Sequence, residues 1–269
     1  MTSDSDTILR PTLLGPVNWL GFWTLYCREV RRFFKVHMQT IFAPVVTTLL
    51  FYAVFALSLG SSVRVVGDVP FLIFLAPGLV MMAMTQNAFA NTSSSLIIAK
   101  VQGNIVDVLM PPLSAGELMA GFALGGVTRG LVVGVVTGLT IWPFLPIGLP
   151  HPGFALYHGV MAVTMLSLLG LIGGIWAEKF DHIAGVTNFI VTPLSFLSGT
   201  FYSVKSLPEQ IQWLAYGDPF FYMIDGFRYG FTGHADGSLN AGILVMLLGD
   251  LGLATLAWRM LKTGYKLKA

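Results

Sequence analysis

Long apolar runs separated by short polar stretches dominate the chain. Six of them, at about 38–60, 70–92, 119–142, 154–176, 183–203 and 239–260, approach the ~20 residues that a helix needs to cross a hydrocarbon core. A seventh segment, 17–36, has a different pattern. Stepped at the helical period, Trp19, Phe22, Trp23, Tyr26, Val30 and Phe33 share one face, and Arg28, Arg31, Arg32 and Lys35 lie opposite. That arrangement predicts a helix lying in a headgroup layer or docked on a partner at that surface.

Composition agrees with a membrane domain: 55% of the residues are hydrophobic and 10% charged. Residues 1–16 carry Asp4, Asp6, Pro11 and Pro16 and do not fit a secretory signal, so they read as a disordered cytoplasmic tail. A single all-helical membrane domain over 17–269 is expected. Placing the N-terminus in the cytoplasm puts Arg10, Arg28, Arg31, Arg32, Lys35, Lys100, Lys179, Arg259, Lys262, Lys266 and Lys268 inside, eleven of the fifteen Lys and Arg. Arg64, Lys205 and Arg228 fall outside. This asymmetry predicts six spans with both termini cytoplasmic, and nothing in it suggests nucleic-acid binding.

Three regions carry candidate function. Between the second and third spans, residues 93–118 are too apolar for a solvated loop. A short helix over about 101–110, holding Gln102, Asn104 and Asp107 and stopped by Pro111–Pro112, would present a knob to a cytosolic partner; a re-entrant or interfacial turn is the alternative. In the third span, Gly126, Gly130, Gly134 and Gly138 form a ribbon that admits another helix closely. Arg129 beside it and Asp250 in the sixth span both fall ~15 Å from the cytoplasmic end, which makes an ion pair between them a hypothesis. Residues 204–238, including Tyr222, Asp225 and Arg228, predict two short helices beginning near prolines and dipping into the outer leaflet.

No chemistry is suggested. The sequence contains no Gly-Lys dipeptide and hence no P-loop lysine. Its five histidines lack metal-site spacing, and the single cysteine, Cys27, forms no internal disulfide. His151 and His158 flank an external turn and read as solvated interfacial residues.

In the order of its motifs the chain resembles the permease subunits of type-2 ATP-binding-cassette exporters, above all the small bacterial ones encoded apart from their ATPase. The resemblance spans nearly the whole chain: the basic interfacial helix, six spans, VLMPPLS at 108–114, LSGTFYS at 197–203, and YMIDGFRYG at 222–230. It implies two permease copies and two ATPases, with ATP and Mg bound by the ATPases. Contacts would run through Arg28, Glu29, Arg31 and Arg32 and through 101–110 with Gln102, Asn104 and Asp107. It implies a pathway between protomers lined by the first, second and fifth spans, with the outer helices as lid. Phe51, Tyr52, Phe55, Phe189, Phe196 and Phe201 are the pathway candidates. A secondary transporter, which would bury several carboxylates at midplane, and a non-transporting assembly protein remain the alternatives.

Overall fold

The structure, a computed structural model, describes residues 15–59, 65–145 and 148–267. The expected tail at 1–16 therefore lies outside the described residues except for Gly15 and Pro16, as do Arg10, Arg64 and Lys268. Helix α1 spans Trp19–Lys35. A π turn, Met38–Phe42, leads into α2, Ala43–Leu59. A minimal antiparallel hairpin pairs β1, Val65–Val66, with β2, Val69–Pro70. Then come α3, Phe71–Val101, α4, Ile105–Leu109, α5, Ala115–Ile141, and α6, Pro152–Trp176. The last third comprises α7, Phe180–Val186, α8, Thr192–Leu197, α9, Glu209–Tyr216, α10, Pro219–Thr232, and α11, Leu239–Thr263.

Five of these helical stretches are long and apolar enough to cross a membrane. The segment expected as a fifth span at 183–203 is a helix starting at Phe180 and ending at Leu197, with a π turn at Thr187–Val191 joining α7 to α8. It stops early because Gly199 adopts a left-handed φ of 81° and the chain folds into a buried turn at Ser198–Thr200.

α3 is the hub. It is buried along most of its length, against α5, α6 and α10. Its 31 residues make it ~46 Å long, more than the hydrocarbon core needs. The extra turns carry Asn91, Ser93, Ser94, Ser95 and Lys100, whose side chains hydrogen-bond there, although Asn91 Nδ2 has no partner among the described residues. Lys100 Nζ, for instance, donates to the carbonyls of Ile175 and Ala177 at the end of α6.

The glycine ribbon of α5 seats both neighbours. A Cβ on Gly126 would meet Ser167 of α6 and Thr92 of α3; one on Gly130 would lie 2.8 Å from Val163 Cγ1 and 2.9 Å from the Met84 carbonyl. Gly134 lies against Met84, and Gly138 has open space around it. A second pair, Gly121 and Gly125, turns toward α1, where added Cβ atoms would lie 2.6 Å from Leu25 and from Glu29. Gly130→Ala is therefore expected to destabilise the fold by ~1–3 kcal/mol through overpacking against backbone. Gly138→Ala, with open space for its methyl, should not destabilise it. Thermal unfolding of the two purified variants in detergent checks the contrast.

Candidate functional site

At one end of the bundle α1 crosses the ends of α3 and α5. Its helix start is fixed by Asn18, whose Oδ1 accepts from Gly21 N at 2.9 Å. The Asn18 N–H donates to Glu117 Oε1 at 2.5 Å, and the other oxygen of Glu117 accepts from Ser114 N at 2.6 Å. One carboxylate thus caps the starts of two helices. The aromatic face of α1 is exposed through Trp19 and Trp23, and Arg28, Arg31 and Lys35 are exposed as well. A third face, Leu25, Glu29 and Phe33, is buried against the bundle.

This third face corrects the expected roles of Glu29 and Arg32. Glu29 is 1% exposed. Its Oε1 accepts from Ser95 Oγ at 3.0 Å and from Arg28 Nη2 at 3.1 Å, while its Oε2 lies 3.2 Å from Arg32 Nη2. Arg32 continues inward to the Asn91 carbonyl at 2.6 Å and to Ser94 Oγ at 3.1 Å. Glu29 is spent inside the chain, and Arg32 is committed to it and to α3 while remaining partly exposed. Only Arg28 and Arg31 of the four α1 candidates face outward.

The expected helix over 101–110 is shorter than its apolar pattern suggested. α3 runs on to Val101, Gly103 turns the chain at a φ of 75°, and α4 begins at Ile105. Gln102 and Asn104 sit in the exposed turn rather than on the helix. Ile105 and Val108 pack with Leu25, Leu96 and Phe122, leaving Val106, Asp107 and Met110 exposed. Between α1 and α4 lies a cavity of about 440 Å³, lined by Leu20, Gly21, Thr24, Arg28, Asp107 and Pro111 among others. Nearby, Lys266 donates to Glu178 Oε1 at 2.7 Å, which holds that carboxyl below its usual range and ties the chain after α11 to the α6–α7 connection.

At the opposite end, α9 and α10 cover the bundle. Asp218 caps α10, its Oδ1 accepting from Phe220 N at 2.9 Å and its Oδ2 from Ser198 Oγ at 2.6 Å. Arg228 is fully buried. Its Nε donates to the Phe74 carbonyl at 3.1 Å and its Nη2 to the Gly199 carbonyl at 2.6 Å, with the guanidinium 3.7 Å above the Phe74 ring. Asp225 accepts from the backbone N–H groups of Asp236 at 2.8 Å and Gly237 at 2.9 Å. Asp225 and Arg228 therefore latch the cover from within and line no open surface. Tyr222 is half-buried and packs against Phe221. His158, expected in solvent, is fully buried instead: its Nδ1 lies 3.1 Å from the Phe154 carbonyl, and Gly226 of α10 lies directly against its ring.

The structure gathers five of the six aromatic candidates. Phe201 stacks with Phe55 at 4.7 Å and Phe196 at 5.0 Å, and approaches Phe51 at 6.3 Å. Tyr52 packs beside them against Phe71 and Leu75. Phe189 stands apart, 84% exposed, next to the exposed polar Asn188.

The proposed Arg129–Asp250 pair does not form. Arg129 turns toward α3, donating from Nη2 to Asn87 Oδ1 at 2.8 Å. Asp250 lies on α11, which packs on α6 through Gly242 and Gly249, and neither carboxyl oxygen has a partner among the described residues.

These features define an all-helical, multi-pass membrane protein with a basic platform at one end and a latched cover at the other. A profile of the ABC-2 type transporter family matches residues 21–232, from α1 to the end of α10, and the chain belongs to that family. It is 35% identical over 252 residues to the inner membrane transport permease YadH of Escherichia coli K12, a match covering 93% of this chain and 98% of that protein. It is 28% identical over 244 residues to nodulation protein J of Rhizobium leguminosarum bv. trifolii, covering 87% of each.

Two outcomes follow from the buried polar groups. Glu29→Ala leaves Arg32 without its carboxylate and should destabilise the protein on the order of 2 kcal/mol, less than a wholly buried pair because Arg32 is partly exposed. Arg31→Ala, on the free face, should change stability by less than ~0.5 kcal/mol; denaturant titration separates the two. Asp250→Asn removes no contact and should be tolerated, and the double exchange Arg129→Asp with Asp250→Arg should fail to rescue Arg129→Asp in a folding or transport assay.

Proposed function

We propose that this chain is the membrane-spanning permease subunit of an ATP-driven exporter, working as two copies with two separately encoded ATPases that bind ATP and Mg. The observation that carries the proposal is the platform at the α1 end. Exposed Arg28, Arg31, Gln102, Asn104 and Asp107, with apolar Val106 and Met110, surround a groove that a cytosolic protein can enter. Behind this mixed surface, Glu29 and Arg32 fasten α1 to α3, and Gly121 and Gly125 seat it closely on α5, the two helices that run to the far end. A force applied to the platform is thereby transmitted into α3 and α5.

In this reading the platform faces the cytoplasm of the bacterial inner membrane, as the Lys and Arg asymmetry favours. The chain crosses six times, α7–α8 supplying the fifth span, with both termini inside. α9 and α10 dip into the outer leaflet as a lid. The second copy packs on the bare faces of α2 and α7–α8, where Val46, Leu50, Val54, Phe189 and Ile190 are exposed. Between the copies, the Phe51–Phe55–Phe196–Phe201 cluster and Asn188 suit an amphiphile: a drug, a lipid or a glycan-linked lipid. Alternating access follows when ATPase closure pushes the platforms together.

A second reading, a proton- or sodium-coupled carrier, has one observation in its favour: the buried, unpartnered carboxyl of Asp250. Pull-down of the tagged protein, co-expressed with a candidate ABC ATPase, separates the readings. A stoichiometric nucleotide-binding subunit with ATP hydrolysis is expected. Arg31→Glu or Asp107→Lys should reduce its recovery by about tenfold, ~1.4 kcal/mol of contact, with the permease still monodisperse. A lone protein whose transport collapses with the ion gradient and in Asp250→Asn would establish the carrier instead.

A further inference from the structure

Gly138 is the one member of the α5 ribbon with nothing against it. Gly126, Gly130 and Gly134 each touch α3 or α6 so closely that a methyl group would collide, but a Cβ on Gly138 would meet no atom within 4 Å. It opens into a cavity of about 410 Å³ near the α10 end, walled by Met84 of α3, Val135 of α5, Leu156 of α6 and Phe227 of α10, with Trp142 at the rim. That volume falls within the ~300–1,000 Å³ range of small-molecule pockets. Close-packed helices do not otherwise leave such a space.

The chemistry of the lining selects the occupant. Apart from the Trp142 indole, the side chains lining the cavity are wholly apolar, so water would find too few of the 2–4 polar partners it needs to be held there. Its mouth, between the outer halves of α5 and α6, is framed by exposed Val135, Trp142 and Leu156. Both helices are long and apolar enough to cross the membrane, so the mouth faces hydrocarbon. Trp142 begins the 3-10 turn Trp142–Phe144 that ends α5, the position where an indole sits at the headgroup boundary. The cavity is thus open to the acyl layer, closed toward the bundle, and capped at headgroup level. Phe227 and Phe231, packed ring to ring at 4.9 Å, wedge α10 into its inner wall.

We infer that this cavity is a lipid site: one acyl chain of a phospholipid, from the leaflet at the α10 end, enters between α5 and α6 and fills the space that Gly138 leaves. The site lies within a single protomer, away from the Phe51–Phe201 cluster, and does not depend on the transport reading. The chain would support α10, and with it the cover, from the membrane side.

Photolabelling tests the site directly. The full-length protein is reconstituted in bilayers containing phosphatidylethanolamine with a diazirine on one acyl chain, irradiated, and mapped by peptide mass spectrometry. Adducts are expected on the peptides containing Met84, Gly138 and Phe227, in addition to the general labelling of exposed Leu244 and Leu248 on α11. Gly138→Phe, which has room for its ring, should lose the cavity adducts and keep those on α11. Should that variant fold poorly, Leu156→Trp at the exposed mouth is expected to give the same loss. Cavity adducts absent from the wild type, or retained in both variants, would overturn the inference.

Discussion

A carboxylate that is 1% exposed at the end of a membrane helix bundle has to be neutralised where it lies, and the architecture at the platform end follows from how Glu29 meets that need. Arg32 from the same helix and Ser95 from α3 share it, and Arg32 passes the connection on to Asn91 and Ser94. The partners occupy positions that only an extended α3 can offer. Gly121 and Gly125 let α1 come close enough for the contact to form. Without that clamp, α1 would be an amphipathic helix lying in a headgroup layer. With it, α1 is an integral part of the bundle whose outward face is basic.

The two ends of the molecule use buried charge in the same way. At the far end Arg228 binds two backbone carbonyls and an aromatic face, and Asp225 holds two backbone amides, so α10 is locked to α3 and to the turn after α8. Between these locks, glycines on α5 and apolar side chains on α3 and α6 give tight packing. α2, the α7–α8 segment and α11 are packed on fewer sides and carry the exposed apolar faces of the bundle.

Much of this was legible in the sequence, because hydrophobic runs near bilayer length and glycines four apart report directly on helices and their close approach. The motif order from α1 to YMIDGFRYG was enough to identify the family. What periodicity could not resolve was the third face of α1: Glu29 falls between the aromatic and basic faces, and only the position of Ser95 reveals why. Matching depths for Arg129 and Asp250 implied a pair, but depth is one coordinate, and azimuth sends the two residues to different neighbours. His158 likewise looked solvent-facing from its place near a turn, and α10, folded over it, decided otherwise. The open space at Gly138 had no signal in a ribbon whose four glycines are identical in sequence.

The Glu29–Arg32 clamp joins α1 to α3 as one body. Spin labels at Lys35→Cys on α1 and Ile98→Cys on α3, in a Cys27→Ser background and diluted with unlabelled copies, would report the α1–α3 distance within one protomer by double electron–electron resonance in the assembled complex, with and without Mg-ATP. One narrow distance, unchanged by nucleotide, is expected. A distance that broadens or shifts on ATP binding would contradict it, because α1 would then be moving independently of the bundle it is held to anchor.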